Sequence, residues 1–205
     1  MATSTPEKKR SRAAGTTGSA RQPRTLDRSF TPPLTVSHAD LLVNGSDDRF
    51  RQMIYLFVEV LGRMNMCREA FGRSIGLTGS QFAVLVGVAY RQGEQGVTIK
   101  KLAQYIHLAP THVTTEVGRL IRKGLLSKCA DSDDRRSVLV SLTAEGQDTV
   151  NTVSVFVRRV NDILFQGIVA ADIDNAESMF NRLSRNSEFA IAELKVAERD
   201  EKGWG

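Results

Sequence analysis

Hydrophobic residues recur at helical spacing over most of this chain. From residue 45 to residue 76 they return every three or four positions, which predicts one amphipathic helix that ends at Gly76. A second helix is predicted after the capping-box pattern of residues 78–81, and its apolar residues fall on nearly every side. A helix of that kind must be surrounded by other elements, so we expect it at the centre of the fold.

The middle of the chain predicts two short helices followed by two strands. The first helix contains Leu102, and Pro110 stands where the second helix should begin. The second helix ends at Gly124, a residue suited to a left-handed cap. Its apolar stripe consists of Val113, Val117, Leu120 and Ile121. Strand-like runs at 125–130 and 137–142 then enclose a hydrophilic turn.

The C-terminal part of the chain predicts two long helices. Thr143 is a capping residue for a helix that we expect to include Ile168, and a last helix starts near Asp172. Apolar residues of the last helix are spaced by three and four, which is typical of a helix that packs along another helix. The predicted fold class is mainly α with a small β-wing, because the order of helix, turn, helix, strand, polar turn and strand is that of a winged helix-turn-helix, here followed by a helical region.

The expected organisation has five parts along the chain. The first part carries four of the five prolines and little apolar periodicity, so it should be a disordered basic arm. Such an arm either contacts DNA phosphates or is dispensable, and the sequence leaves both open. The parts are the arm at 1–44, a first long helix at 45–76, the winged helix-turn-helix at 77–142, C-terminal helices at 143–200, and a tail at 201–205.

Composition excludes several classes of protein. No apolar run approaches the ~20 residues that span a bilayer, and no apolar stretch follows the N-terminal charges, so we expect a cytoplasmic protein without a membrane partner. Two cysteines are too few for a disulfide framework. Phosphate loops, nucleophile elbows and metal-ligand clusters are absent from the sequence, so we expect neither an enzyme nor a cofactor.

Charge is segregated along the chain, whose net charge is +5. Residues 98–136 contain eight Lys and Arg against four Asp and Glu, whereas residues 143–201 contain six against eleven. A basic middle part suits a polyanion such as double-stranded DNA, although an ordinary solvated surface would have the same charges.

Polar side chains lie opposite the apolar stripe of the helix that follows Pro110. A helix enters the major groove only when its outer face can meet base edges and phosphates. The candidate DNA contacts are Thr111, His112, Thr114, Thr115, Arg119 and Arg122. Taken singly, each side chain is explained equally well by solvent exposure. A metal site at His107 and His112 is not expected, because they lack a cysteine or acidic partner at ligand spacing.

The hydrophilic turn adds a second DNA-binding candidate. Asp134 and Arg136 share one face of an extended strand, so the carboxylate can brace the guanidinium for insertion into the minor groove. Arg135 faces the other way and suits a phosphate. The alternative is a surface salt bridge within a hairpin, which contributes less than ~1 kcal/mol.

Residues 78–146 resemble the multiple-antibiotic-resistance (MarR) family of bacterial regulators. The similarity lies in the Lys-Gly-Leu turn at 123–125, the Asp-x-Arg pattern at 134–136, and the Leu-Thr-x-x-Gly exit at 142–146. The family implies a two-fold dimer of interlocked first and last helices. The candidate dimerisation residues are Val153, Val157, Met179, Leu183 and Leu194. Two departures are the long N-terminal arm and Ile121, which stands where an acidic residue is common.

The resemblance also implies control by a small molecule or by thiol oxidation. A family-type pocket would be bounded by the first, second and fifth helices. Its candidate residues are Arg63, Met64, Cys67, Arg68, Phe71 and Arg73. Apolar and sulfur side chains beside arginines suit a small anionic or aromatic effector, such as an aromatic acid or its coenzyme A thioester. Three alternatives stay open: plain core and solvated arginines, oxidant sensing by Cys67 or Cys129, and an architectural DNA binder without an effector.

Overall fold

The computed structural model describes residue 1, residues 30–130 and residues 138–202. The described residues form a mainly helical fold with a small sheet, which confirms the predicted fold class. A 3-10 turn at Ala39–Leu41 comes first. The elements are then α1 (Asp48–Ser74), α2 (Gly79–Arg91), β1 (Val97–Thr98), α3 (Ile99–Ile106), α4 (Pro110–Arg122), β2 (Leu126–Ala130), β3 (Val138–Leu142), α5 (Ala144–Leu164) and α6 (Ala170–Lys202). None of the described helices combines the length and hydrophobicity that a bilayer crossing requires.

The chain divides into two compact units, of which the first ends at Ile54 and the second begins at Tyr55. The first unit contains a buried carboxylate. The Asp47 side chain is 1% exposed. One of its oxygens accepts hydrogen bonds from the backbone N–H and the hydroxyl of Thr35, both at 2.6 Å, and the other pairs with Arg51. The hydrogen bonds from Thr35 lower the pKa of Asp47. Thr35, which lies within the predicted disordered arm, is therefore held by specific contacts with Asp47. Residues 2–29 lie outside the described part.

In the second unit, α2 lies at the centre of the main hydrophobic core, as its all-round apolar pattern predicts. The core joins α2, α3, α4 and the sheet. Its largest fully buried side chains include Leu85, Leu102, Leu120 and Leu126. Each such side chain contributes about 1.5–3 kcal/mol by leaving water. This core holds the helix-turn-helix and the sheet together as one reading head, which we define as residues 77–130 and 138–142.

The sheet has the antiparallel order β1-β3-β2. Val97 pairs with Val140, and Leu126 pairs with Leu142. Gly96 has φ +101°, and a Cβ there would lie 2.7 Å from the hydroxyl oxygen of Ser141, so the chain can enter β1 only with a glycine at this position. The strands begin and end within one residue of the predicted bounds.

Local caps explain where the helices of the head begin. Thr78 forms the predicted capping box with Gln81, and the Glu69 carboxylate accepts a further bond from the Gly79 N–H at 3.0 Å. Thr143 accepts from the N–H of Gly146 and donates its hydroxyl to the Gly124 carbonyl at 2.6 Å. The predicted caps at Thr78 and Thr143 are confirmed.

A second, smaller core joins the end of α1 to α2 and α5. It contains Phe71, Phe82 and Val153, and Phe156 meets the Phe71 ring edge-on with centroids 5.5 Å apart. Phe71 and Val153 are therefore buried inside one subunit. The prediction that Val153 contributes to a dimer surface is wrong, because its side chain is already covered by its own chain.

The two long C-terminal helices are separated by a short turn. Helix α5 ends at Leu164, and Gly167 adopts φ +82°, a conformation that glycine reaches without steric cost. Ile168 lies in this turn. The prediction that it belongs to the helix capped by Thr143 is wrong, because that helix ends at Leu164 and α6 begins only at Ala170.

Candidate nucleic-acid interface

Helix α4 has one buried face and one polar face. Val113, Val117 and Leu120 are buried in the main core. Thr111, Thr115 and Arg122 lie on the opposite side of the helix and are exposed. Pro110 occupies the first turn as predicted, and His107 closes α3 in the left-handed region with φ 53°. The tight turn between α3 and α4 thus presents α4 to solvent along its polar side.

Two of the three threonine hydroxyls on α4 are already bound within the helix. Thr114 donates to the Pro110 carbonyl at 2.8 Å, and Thr115 donates to the Thr111 carbonyl at 3.0 Å. Each hydroxyl proton is therefore used, while the oxygen lone pairs and the methyl groups remain available. In this state the two side chains can accept a hydrogen bond from a base amino group or contact a thymine methyl group.

Arg119 lies on the flank of α4 and is bound by an acidic residue. Its Nη1 donates to Glu116 Oε1 at 2.6 Å, and the Glu116 side chain is buried. The sequence interpretation missed Glu116. The spacing of three residues between an acid and an arginine was a usable signal, because such pairs are neighbours on a helix surface.

Basic residues dominate the exposed charge of the head. Between residues 98 and 130, six Lys and Arg are exposed, and Glu116 is the one acidic residue. The exposed residues are Lys100, Lys101, Arg119, Arg122, Lys123 and Lys128. No side chain caps the first turn of α4, so the unpaired N–H groups of that turn can also bind a phosphate.

The predicted minor-groove contacts cannot be located. Asp134, Arg135 and Arg136 lie in residues 131–137, outside the described residues. The flanking strands are described as far as Ala130 and from Val138, and these two residues pair with each other.

A cavity of about 350 Å³ lies between α2 and α5. Phe82, Val86, Val153 and Val157 form an apolar wall, while Tyr90, Arg158, Asn161 and Asp162 supply polar groups. Of the six residues predicted to bind an effector, none lines this cavity. Phe71 lies in the smaller core, which also contains Phe82 and Val153 of the cavity wall. Arg63 and Met64 are exposed on α1.

The other predicted effector residues lie along α1. Cys67 and Arg73 line a shallow depression on the surface of this helix, and Arg68 is half-buried and donates to Asn65. Cys67 is half-buried, Cys129 is exposed on β2, and both thiols are free.

The remaining dimerisation candidates differ in exposure. Val157 is half-buried against the smaller core, and Met179 is half-buried on α6. Leu183 and Leu194 are exposed, as is every residue from 181 to 199. Phe180 contacts Phe57 of α1, with ring centroids 5.4 Å apart.

Comparison with known proteins agrees with this geometry. A family model described as a winged helix DNA-binding domain matches residues 77–146. The chain is 30% identical over 107 residues to the transcriptional activatory protein BadR of Rhodopseudomonas palustris. The aligned residues make up 51% of this chain and 61% of BadR.

Solved structures share the fold at low sequence identity. A MarR-family transcriptional regulator from Silicibacter pomeroyi has a TM-score of 0.55 at 20% identity, covering 74% of this chain and 96% of that one. CouR from Rhodococcus jostii, solved with p-coumaroyl-CoA, has a TM-score of 0.57 at 22% identity, covering 64% and 90%. The fold extends over most of these proteins, whereas the match to BadR extends over about three fifths of its length.

Proposed function

Because residues 77–146 match a winged-helix DNA-binding domain and the fold is shared with MarR-family regulators, we propose that this chain is a homodimeric, sequence-specific DNA-binding regulator of transcription of the MarR family. The observation that carries this proposal is the polar face of α4, where Thr111, Thr115 and Arg122 are exposed opposite a buried apolar stripe. A helix with that surface, in a stretch from residue 98 to residue 130 that exposes six basic residues, fits the major groove of DNA.

The proposed dimer is built from the long terminal helices. From residue 181 to residue 199 α6 is exposed, although it carries large apolar side chains. These include Leu183, Phe189, Ile191, Leu194 and Val196. Monomeric proteins rarely leave such a surface in water, so a second copy of the chain is its expected cover. Two-fold symmetry would then place one reading head on each side of the axis.

Selection of binding sites from random DNA tests the proposal directly. We expect a pseudo-palindrome whose half-sites lie about one helical turn apart, bound by a protein that light scattering finds to be a dimer. Arg122→Ala should weaken binding, because it removes a cation from the groove-facing side of α4. Arg182→Ala removes the same charge from α6 and is the matched control. A monomeric protein, or one that selects no sequence, would contradict the proposal.

An effector pocket between α2 and α5 would connect binding to regulation. The cavity has the volume of a small aromatic molecule, an apolar wall, and Arg158 to meet a carboxylate. CouR, which shares the fold, was solved with p-coumaroyl-CoA. We propose that an aromatic acid or its coenzyme A thioester binds here and releases the DNA by favouring a different separation of the heads.

Titration of such compounds against the protein–DNA complex tests the effector. Arg158→Ala should weaken the response to the effective compound and leave DNA binding without effector unchanged. Val86→Trp should fill the cavity and abolish the response. The pocket assignment fails if both variants respond as the wild type does.

The direction of regulation is a separate proposal: we propose that the protein is a repressor. A protein that an effector removes from its operator acts as a repressor when the operator overlaps a promoter, whereas BadR carries the name of an activator. A reporter fused to the selected operator decides between them. Higher expression in a strain lacking the protein supports a repressor.

Oxidant sensing is the second candidate mechanism. Cys129 is exposed on β2, beside the proposed DNA-binding surface, which is the access that a sensing thiol needs. If peroxide abolishes DNA binding by the wild type but not by Cys129→Ser or Cys67→Ser, and no aromatic acid has an effect, the redox mechanism replaces the ligand mechanism.

A further inference from the structure

Glu116 is a buried acidic residue on the helix proposed to read DNA. It is 3% exposed, whereas every other charged side chain between residues 98 and 130 is exposed. One carboxylate oxygen, Oε1, accepts from Arg119 Nη1 at 2.6 Å. The other oxygen, Oε2, is buried and has no hydrogen-bond partner among the described residues.

Stability does not explain this arrangement. A buried carboxylate loses its hydration, and the loss is recovered only when good hydrogen bonds satisfy both oxygens. Here one oxygen is satisfied and the other is not. An apolar side chain of similar volume would fill the same space without that loss, so the benefit of the carboxylate must lie in what it does to Arg119.

Arg119 has the freedom and the donors to act on a partner outside the protein. Its side chain is 49% exposed. A guanidinium has five N–H donors in a rigid plane, and the bond to Glu116 uses one of them. Fixing Nη1 at a buried anchor restricts the direction of the whole plane, while the remaining donors stay accessible to solvent.

We propose that Glu116 is a positioning residue for DNA reading: it holds the Arg119 guanidinium ready for a bidentate contact with a guanine edge. Bidentate contacts between arginine and guanine O6 and N7 depend on the orientation of the plane. An arginine without a partner in the protein loses its rotational freedom when it binds a guanine. An arginine that is bound to Glu116 has already lost part of this freedom when the protein folds, so DNA binding costs less side-chain entropy. The inference rests on the proposed DNA-binding function and adds the residue that orients one of its contacts.

Glu116→Gln separates positioning from simple electrostatics. Removing an acidic charge beside DNA should strengthen binding by itself, because less negative charge faces the phosphates. If Glu116 positions Arg119, the substitution should instead weaken DNA binding. We expect operator affinity to fall about threefold to tenfold, the loss associated with ordering one flexible side chain on binding. The preference at one base pair per half-site should relax, and thermal stability should be equal or higher.

Two further measurements distinguish the mechanism from a structural defect. Glu94→Gln removes an exposed acidic charge from the loop after α2 and should leave affinity unchanged or slightly stronger. In an Arg119→Ala background, Glu116→Gln should have no further effect, since the side chain through which it acts is gone. If the glutamine variant does not fold, Glu116→Met replaces it, because an apolar side chain suits the buried position.

The proposal is overturned if the folded Glu116 variant binds the operator as tightly as the wild type with the same base preference. It is also overturned if the loss is equally large without Arg119. Failure of the proposed function itself would look different, because the wild-type protein would then select no DNA sequence at all.

Discussion

Gly118 is a glycine in the interior of α4, and replacing it by alanine tests where the DNA lies. Glycine in a helix interior is about 0.8–1.0 kcal/mol less favourable than alanine. A Cβ at this position would have Arg122 Nη1 as its nearest neighbour, at 3.9 Å, which is an ordinary van der Waals contact. No steric cost therefore offsets the gain. We expect Gly118→Ala to stabilise the folded protein by about 0.8–1.0 kcal/mol and to raise Tm by about 2–4 °C.

The same methyl group should weaken DNA binding. Gly118 lies on the shoulder of α4 that faces the sheet, where it lines a recess of about 290 Å³ together with Thr114 and Lys128. If DNA packs against this shoulder as closely as a protein interior packs, one added methyl costs about 1–3 kcal/mol, or about fivefold to 150-fold in affinity. A more stable protein that binds its operator less well is the expected outcome.

Thermal denaturation followed by circular dichroism and operator binding followed by fluorescence anisotropy measure the two effects. Thr152→Ala, at an exposed position of α5, is the matched control, because it raises helix propensity outside the head. It should raise Tm and leave affinity unchanged. A lower Tm for Gly118→Ala would refute the packing argument. A higher Tm with wild-type affinity would show that DNA does not approach this side of α4.

Three other predictions follow from single contacts. Gly146→Ala should lower Tm, in contrast to Gly118→Ala, because its Cβ would overlap the Leu125 carbonyl oxygen and force backbone to move; equal stability would contradict the geometry. The pKa of Asp47 is lowered by its bonds to Thr35, so the stability that it adds is present above the ordinary pKa of 3.8 and is lost as pH falls through the lower folded pKa. Hydrogen exchange at the Thr35 amide should accelerate in that range, and in Asp47→Asn it should show no such dependence. Leu194→Glu should dissociate the proposed dimer in light scattering, whereas Lys195→Ala, its exposed neighbour, should not.

Local signals account for the parts of the fold that the sequence predicted well. The caps at Thr78 and Thr143, the proline at the start of α4 and the glycine after it each act within a few residues, so their meaning does not depend on distant packing. The inward face of α4 was predictable for the same reason, because its apolar residues recur at helical spacing and therefore fall on one side of the helix.

Features that depend on packing between distant segments could not be predicted in this way. Charged residues are almost always exposed, so nothing in the sequence marks Glu116 as buried; its burial depends on how α4 packs against the other elements of the head. Ile168 has the spacing of the helix before it, but that helix ends at Leu164, and Gly167 adopts a left-handed conformation before Ile168 is reached.

The proposed effector pocket illustrates the same limit most clearly. Residues 63 to 73 cover three turns of α1 and point in all directions around it, so their composition cannot tell which of them face α5. In the structure, Phe71 faces the smaller core, and Phe82 and Val153 of that core also form the wall of the α2–α5 cavity. Because these two side chains have both roles, a ligand that displaces the wall must also disturb the packing between the head and α5. A change of Phe82 should therefore alter both stability and effector response, whereas Arg158, at the rim, should alter the response alone.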